Sequence, residues 1–198
     1  MNDLCAELLP VGAVRGRILG WLAEGTREVS WALCSLPRER WTLDPPPPLG
    51  AWPALRHVRA MVLRDRDITL PAVRQALGDQ HAVPASSAAF EQSEAAWDAQ
   101  IAADSAEELV HEFGAVRFEL LHQVEAAPET AWGDVEWKAG RSVMPVQLYE
   151  LLLTARQYEL DHLAAIWRVL LHWDRVSSSA QHAHEGSVSL PLHPADRF

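Results

Sequence analysis

Four segments of this chain repeat apolar residues at the 3.6-residue period of an α-helix, and this periodicity restricts the fold more than any other feature of the sequence. We predict helices over residues 11–33, 52–77, 106–126 and 145–173. None of these segments shows the sustained alternation that is typical of a β-strand. Four long amphipathic helices with one long connection predict an all-α protein, a four-helix bundle.

Residues with special backbone preferences indicate where these helices begin and bend. The sequence Ser105-Ala-Glu-Glu108 is a capping-box pattern at the start of the third helix. Pro145 is a favourable first-turn residue and is predicted to open the fourth helix. Pro71 removes an internal hydrogen bond, so we expect it to kink or split the second helix. Residues 132–142 connect the last two helices as a short hairpin or as a loop over one end of the bundle.

The length of 198 residues, of which 48% are apolar, fits one domain with a sizeable core. We place this domain at residues 1–176. The polar, small residues of 177–198 predict a disordered tail. The connection over residues 78–104 is a long crossover between the second and third helices, and a short helix is expected within it at 90–101.

The charge balance excludes several classes of partner. The chain has 17 lysines and arginines against 27 aspartates and glutamates, so its net charge is −10. A nucleic-acid binder or a protein of anionic membrane surfaces would present a basic face instead. No apolar run approaches the roughly 20 residues that span a bilayer. Cys5 and Cys34 form no metal-binding spacing, and two lone thiols with no signal peptide predict a cytoplasmic protein.

Two histidines, His57 and His162, lie in the apolar stripes of the second and fourth helices. A polar ring that faces a core needs a partner, and two rings on facing helices can share a metal ion. On the fourth helix, Tyr158 lies about 40° to one side of His162 and Glu159 about 60° to the other. A phenol, a carboxylate or water would complete the metal's ligands.

A purely structural interpretation of the same residues also remains open. A histidine on an apolar face is more often a hydrogen-bonded core residue than a ligand. Asp65, on the same face as His57, can pair with Arg117 of the third helix. Tyr158 can be a core residue whose hydroxyl group is hydrogen-bonded.

Three stretches together resemble the DinB-like (DinB/YfiT) superfamily, over roughly residues 10–173. They are Trp52-Pro-Ala-Leu-Arg-His57, Glu107-Glu-Leu-Val-His-Glu-Phe113 with Arg117, and Leu151-Leu-Leu-Thr-Ala-Arg-Gln-Tyr-Glu-Leu-Asp-His-Leu-Ala-Ala-Ile166. The resemblance implies an up-down-down-up bundle with its long crossover between helices 2 and 3. It also implies a divalent metal, zinc or nickel, that three histidines hold at one end of the bundle.

Transferred to this sequence, the resemblance makes His57 and His162 metal ligands, while the third position falls on Tyr158. A phenol is a poor ligand near pH 7 because its pKa is about 10, so Tyr158 is instead a candidate catalytic acid or hydrogen-bond donor. The family includes a mycothiol-dependent maleylpyruvate isomerase and bacillithiol S-transferases. This chain would accordingly be a metal-dependent transferase or hydrolase with a small-molecule or low-molecular-weight thiol substrate.

Two alternatives to this enzyme follow from the missing third histidine and from the bundle itself. The first is a degenerate, metal-free bundle that binds a small ligand between His57, Tyr158 and His162. The second is an interaction module that acts as a dimer. Bundles of this family commonly pair through helix faces, so the resemblance implies a homodimer in each case.

Overall fold

Four long helices make up most of the chain in the computed structural model, which describes residues 11–50, 52–86, 89–90, 106–139 and 142–185. We label them α1 (Val11–Cys34), α2 (the consecutive segments Ala54–Arg64, Asp65–Thr69 and Leu70–Ala76), α3 (Ala106–Glu125) and α4 (Leu148–Glu185). The prediction of a helical protein with four long helices is confirmed. Within the described residues, no helix combines the length and the apolar character that crossing a membrane requires.

The helices bury their apolar stripes against one another, and α1 and α2 each pack against both α3 and α4. One core cluster lies around Val58, Met61, Phe113 and Ile166. A second cluster lies towards the other end, and it includes Leu22, Leu120, Trp132 and Leu152. Burying a side chain of this size contributes about 1.5–3 kcal/mol, so these stripes supply most of the driving force for packing.

An antiparallel hairpin precedes α4, formed by β1 (Asp134–Ala139) and β2 (Ser142–Gln147). Pro145 lies in β2 opposite Glu136, so the prediction that Pro145 opens the fourth helix is wrong. Each strand of a two-stranded sheet has one unpaired edge, where the missing N–H of a proline is tolerated. The helix begins after the hairpin, at Leu148.

Pro71 changes the hydrogen bonding of α2 without ending the helix. A π-helical turn over Asp65–Thr69 immediately precedes the α-helical segment that contains Pro71. Pro71 has no N–H to donate to the carbonyl oxygen of Asp67, four residues earlier. The backbone N–H of Ala85, in the segment that follows α2, donates to this carbonyl instead, at 2.8 Å. The expected irregularity therefore takes the form of a π-helical turn.

The C-terminal helix is longer than the sequence indicated. It continues to Glu185, so the prediction of a disordered tail from residue 177 is wrong for residues 177–185. Extending a helix is easier than nucleating one, and this stretch has no proline or glycine before Gly186. Residues 186–198 lie outside the described residues, as does nearly all of the short helix expected at 90–101.

A buried arginine, Arg117 of α3, joins two carboxylates inside the bundle. Its Nε atom lies 2.5 Å from Oδ2 of Asp65 on α2, and its Nη2 atom lies 2.6 Å from Oε2 of Glu159 on α4. All three residues are at most 2% exposed. Burial raises the pKa of both carboxyl groups, and the charge of Arg117 opposes that rise. The pairing of Asp65 with Arg117, one of the two sequence interpretations, is confirmed.

The same charge network extends to α1 through Arg156 of α4. Arg156 pairs with Glu159, and its other terminal nitrogen lies 2.7 Å from Oε2 of Glu28. Where the Glu159 carboxylate meets α1, the helix carries Gly25, and a Cβ atom there would overlap the carboxylate. A glycine at this position therefore lets α1 approach α4.

We predict that Gly25→Ala lowers the free energy of unfolding by about 3 kcal/mol, because the added methyl group must displace a buried, paired carboxylate. Gly20→Ala is the matched control, since Gly20 is an exposed residue of the same helix with open space around it. The control should be neutral or stabilise by up to about 1 kcal/mol. Urea unfolding measures both variants, and equal stability of the two would contradict this close packing of α1 against Glu159.

Candidate functional site

His57 of α2 and His162 of α4 are in direct contact, as expected for two rings on facing helices. Their Nδ1 atoms lie 2.8 Å apart, which is a hydrogen-bond distance. One ring must therefore donate through Nδ1–H while the other accepts through a bare nitrogen. Both residues are half-buried.

The surroundings of His57 hold it in the neutral form. Its pKa is lowered to about 3, first by burial and then by the nearby charges of His162, Arg168 and Arg56. A hydrogen bond with the backbone of Trp52 acts in the opposite direction. At pH 7 the ring is therefore uncharged.

His162 is also neutral at pH 7. Burial is the main reason that its pKa is lowered to about 4. Asp161 raises this pKa, while Arg64 lowers it further. A neutral imidazole is the form that binds a metal or accepts a proton, so both rings are in that form at physiological pH.

Aromatic rings enclose the pair. The Trp52 ring is nearly parallel to the His162 ring, with centroids 5.7 Å apart, and it is tilted against His57 at 5.4 Å. Tyr158 meets His162 edge-on, with centroids 4.3 Å apart. These rings limit the access of water and hold the imidazoles in fixed orientations. Tyr158, the candidate catalytic residue, therefore lies in contact with the pair.

Arginines surround this aromatic enclosure, and sequence reasoning did not identify them. The guanidinium of Arg56 lies over the Trp52 ring at 4.7 Å, and that of Arg64 lies over the Tyr158 ring at 4.4 Å. A signal was present, because Arg64 follows His57 by two helical turns and thus shares its face. The resulting site is electropositive.

Glu159, the alternative metal ligand, does not lie in this site. Its carboxylate pairs with Arg117 and Arg156 inside the bundle. Adjacent residues of an α-helix point about 100° apart, so Tyr158 and Glu159 cannot both face His162. Glu159 as a ligand is therefore a wrong prediction, and the position that follows Tyr158 belongs to the buried charge network.

The donor set around the pair offers two imidazole nitrogens. Within the described residues, no group of three or more histidine, cysteine, aspartate or glutamate side chains could hold a metal ion. Zinc binds imidazole nitrogens at about 2.0–2.1 Å, so two tetrahedral ligands lie roughly 3.3 Å apart. To bind one zinc ion, the two Nδ1 atoms, at 2.8 Å, would need to separate by about 0.5 Å. The ring that donates through Nδ1–H would also need to carry that proton on Nε2 instead. With these changes His57 and His162 would supply two ligands, one fewer than the three protein ligands of a usual catalytic zinc site, and water or substrate would fill the other positions.

The lowered pKa values of the two histidines predict how stability depends on pH. The unfolded chain binds protons at these histidines near pH 6.5, whereas the folded chain does not, so acidification favours unfolding. Between pH 7 and pH 5, in the presence of a chelator, we expect these residues to reduce the free energy of unfolding. The slope is at most about 1.4 kcal/mol per pH unit for each histidine.

Urea unfolding of the wild type and of the double variant His57→Asn/His162→Asn, at a series of pH values, measures this contribution. The double variant should lose less stability than the wild type as the pH falls. His111→Asn is the control, because His111 is exposed on α3. An identical pH slope in the wild type and the double variant would contradict the neutral state of the pair.

Comparisons with known proteins give no independent guide to this site. No protein-family model, no curated protein and no solved structure matches the chain. The assignment of a function to the His57–His162 pair therefore rests on the residues themselves and on their geometry.

Proposed function

We propose that this chain is a DinB-like bundle in which His57 and His162 bind a divalent metal, zinc or nickel, for a transferase or hydrolase reaction. The observation that carries the proposal is the contact between two neutral imidazoles, whose Nδ1 atoms converge at 2.8 Å from facing helices. Neutral rings with converging nitrogens are the form that metal binding needs.

The order of contacts along α2 and α3 supports the up-down-down-up arrangement of this family. Arg59 pairs with Glu112 at 3.0 Å, and further along both helices Arg74 pairs with Glu119 at 2.9 Å. The positions rise together, which is the pattern of helices that run in the same direction.

Contacts of α1 support the same arrangement. As the residue number rises along α1, the number of the contacting residue falls along α3 and rises along α4. α1 therefore runs antiparallel to α3 and parallel to α4. The contacts are Arg15 with Glu125 and Thr26 with Gly114 for α3, and Gly25 with Glu159 and Trp31 with Trp167 for α4. Together with the parallel α2 and α3, this favours α1 and α4 pointing one way and α2 and α3 the other.

A metal at this pair would lower the pKa of a bound thiol or water and so supply a nucleophile near pH 7. His57 and His162 would provide the ligand nitrogens. Trp52 and Tyr158 would shield the site from bulk water, and the Tyr158 hydroxyl would donate a hydrogen bond or a proton to the substrate. The substrate would be a small molecule or a low-molecular-weight thiol.

Thermal unfolding with and without zinc or nickel tests the metal site. At a free metal concentration about 100 times the Kd, a bound metal adds about 2.7 kcal/mol of stability, which corresponds to a rise in Tm of roughly 5–10 °C. We expect this rise in the wild type and in the control His111→Asn, but not in His57→Asn or His162→Asn. A wild type that gains no stability from either metal would refute the proposal.

A metal-free bundle that binds a small ligand is the second candidate. The direct Nδ1–Nδ1 hydrogen bond favours it, since this bond already occupies the two nitrogens that would bind a metal, and the neighbouring arginines oppose a cation. On this interpretation, Tyr158→His should create a metal affinity that the wild type lacks. Equal zinc affinity of the wild type and Tyr158→His would exclude this candidate.

We further propose that the protein is a homodimer that pairs through one face of α1 and α4. Trp31 is 63% exposed and packs against Trp167 with ring centroids 4.6 Å apart, and Leu171 is also 63% exposed. Burying such residues would favour association. Light scattering should show a dimer for the wild type and a monomer for Trp31→Glu/Leu171→Glu, whereas a monomeric wild type would contradict the pairing.

A further inference from the structure

A cavity lies between α2 and α4, and one of its lining residues, Arg64, contacts Tyr158, the neighbour of His162. Its volume is about 220 Å³, which is larger than the roughly 150 Å³ cavity that holds benzene in a protein core. The residues that line it are Arg64, Ile68, Thr69, Glu150, Leu151, Thr154 and Ala155. Part of its wall is the π-helical turn of α2, a feature that often occurs at functional sites.

Arg64 is the positively charged residue among those that line this cavity, and no described residue forms a hydrogen bond or an ion pair with its side chain. Its Nε atom is buried without a hydrogen-bond partner, and its guanidinium lies over the Tyr158 ring at 4.4 Å. The adjacent carboxylate, Asp65, is already paired with Arg117. Three other arginines of α2 have carboxylate partners, namely Arg59 with Glu112, Arg66 with Asp67 and Glu112, and Arg74 with Glu119. Arg56, the remaining arginine of α2, lies over Trp52 outside the cavity.

The other residues that line the cavity indicate what the rest of an anionic ligand would be. Ile68, Leu151 and Ala155 present apolar surface, which favours a ligand with an apolar body. Glu150 places a negative charge at the cavity, so a second anionic group on the ligand would be repelled. An arginine without a counter-ion is suited to a carboxylate, whose two oxygens match the geometry of the guanidinium.

We infer that this cavity binds a small molecule with one carboxylate on an apolar body, and that Arg64 is its counter-ion. Because Arg64 also contacts Tyr158, which in turn contacts His162, the bound carboxylate would be linked to the histidine pair through Tyr158. The ligand is therefore the class of substrate or product that the proposed enzyme would handle. That last identification rests on the proposed function, whereas the binding itself does not.

Calorimetric titration of the full chain with benzoate and with its uncharged analogue benzamide, in the presence of a chelator, tests the site. We expect benzoate to bind with a millimolar or lower Kd, and benzamide to bind at least about tenfold more weakly, because it cannot pair with a cation. Phthalate, which carries a second carboxylate, should also bind more weakly than benzoate.

Variants test whether Arg64 and this cavity bind benzoate. Arg64→Gln should raise the Kd for benzoate at least about tenfold and remove the preference over benzamide. Arg27→Gln is the matched control for net charge, since the Arg27 side chain is 78% exposed on α1, and it should bind benzoate as the wild type does. Ala155→Leu adds volume inside the cavity and should weaken both ligands.

The inference is overturned if the wild type does not bind benzoate, if benzamide binds equally well, or if Arg64→Gln retains wild-type affinity. Circular dichroism checks that the variants fold. Should Arg64→Gln not fold, Arg64→Lys keeps the charge and must still prefer benzoate over benzamide. Benzoate binding without any zinc response would refute the metal proposal alone, and a zinc response without benzoate binding would refute the carboxylate site alone.

Discussion

The buried Arg117, held between Asp65 and Glu159, is the interaction on which the rest of the structure depends. It ties α2, α3 and α4 together where water is excluded, and Arg156 extends the tie to α1 through Glu28. Removing one partner of such a pair leaves an uncompensated buried charge, which typically destabilises by about 3–5 kcal/mol. The helices can therefore shift little relative to one another without separating these charges, and the network defines their register.

The candidate site depends on this register. Glu159 points into the network, and the 100° step of the helix then directs Tyr158 towards His162. On α2, Asp65 belongs to the charge network, while His57, two turns earlier, forms the hydrogen bond with His162. The histidine pair therefore lies next to the charge network along the α2–α4 interface, where aromatic rings and arginines surround the pair. A structural role for one polar cluster and a functional role for the other are compatible within the same pair of helices.

Particular residues show how far the sequence could be interpreted. Apolar periodicity located the four helices, because this signal comes from neighbours within one helix. α3 is described from Ala106, and Ser105 of the capping box lies outside the described residues. The pairing of Asp65 with Arg117 could be anticipated as one of two possibilities. Pro145 is wrongly assigned to the start of the fourth helix, since a proline suits both a first helical turn and a strand edge. The pairing with β1 places it in the hairpin.

The sequence by itself determined that the chain is helical, that four amphipathic segments must pack together, and that His57 and His162 face the interior. These properties follow from the period of a helix, which is local. The tertiary structure alone decided that the two rings touch, that Glu159 serves the buried network, and that Arg64 borders a cavity without a described counter-ion. Each of these depends on charges and volumes contributed by other helices, and helical periodicity within one segment does not encode them.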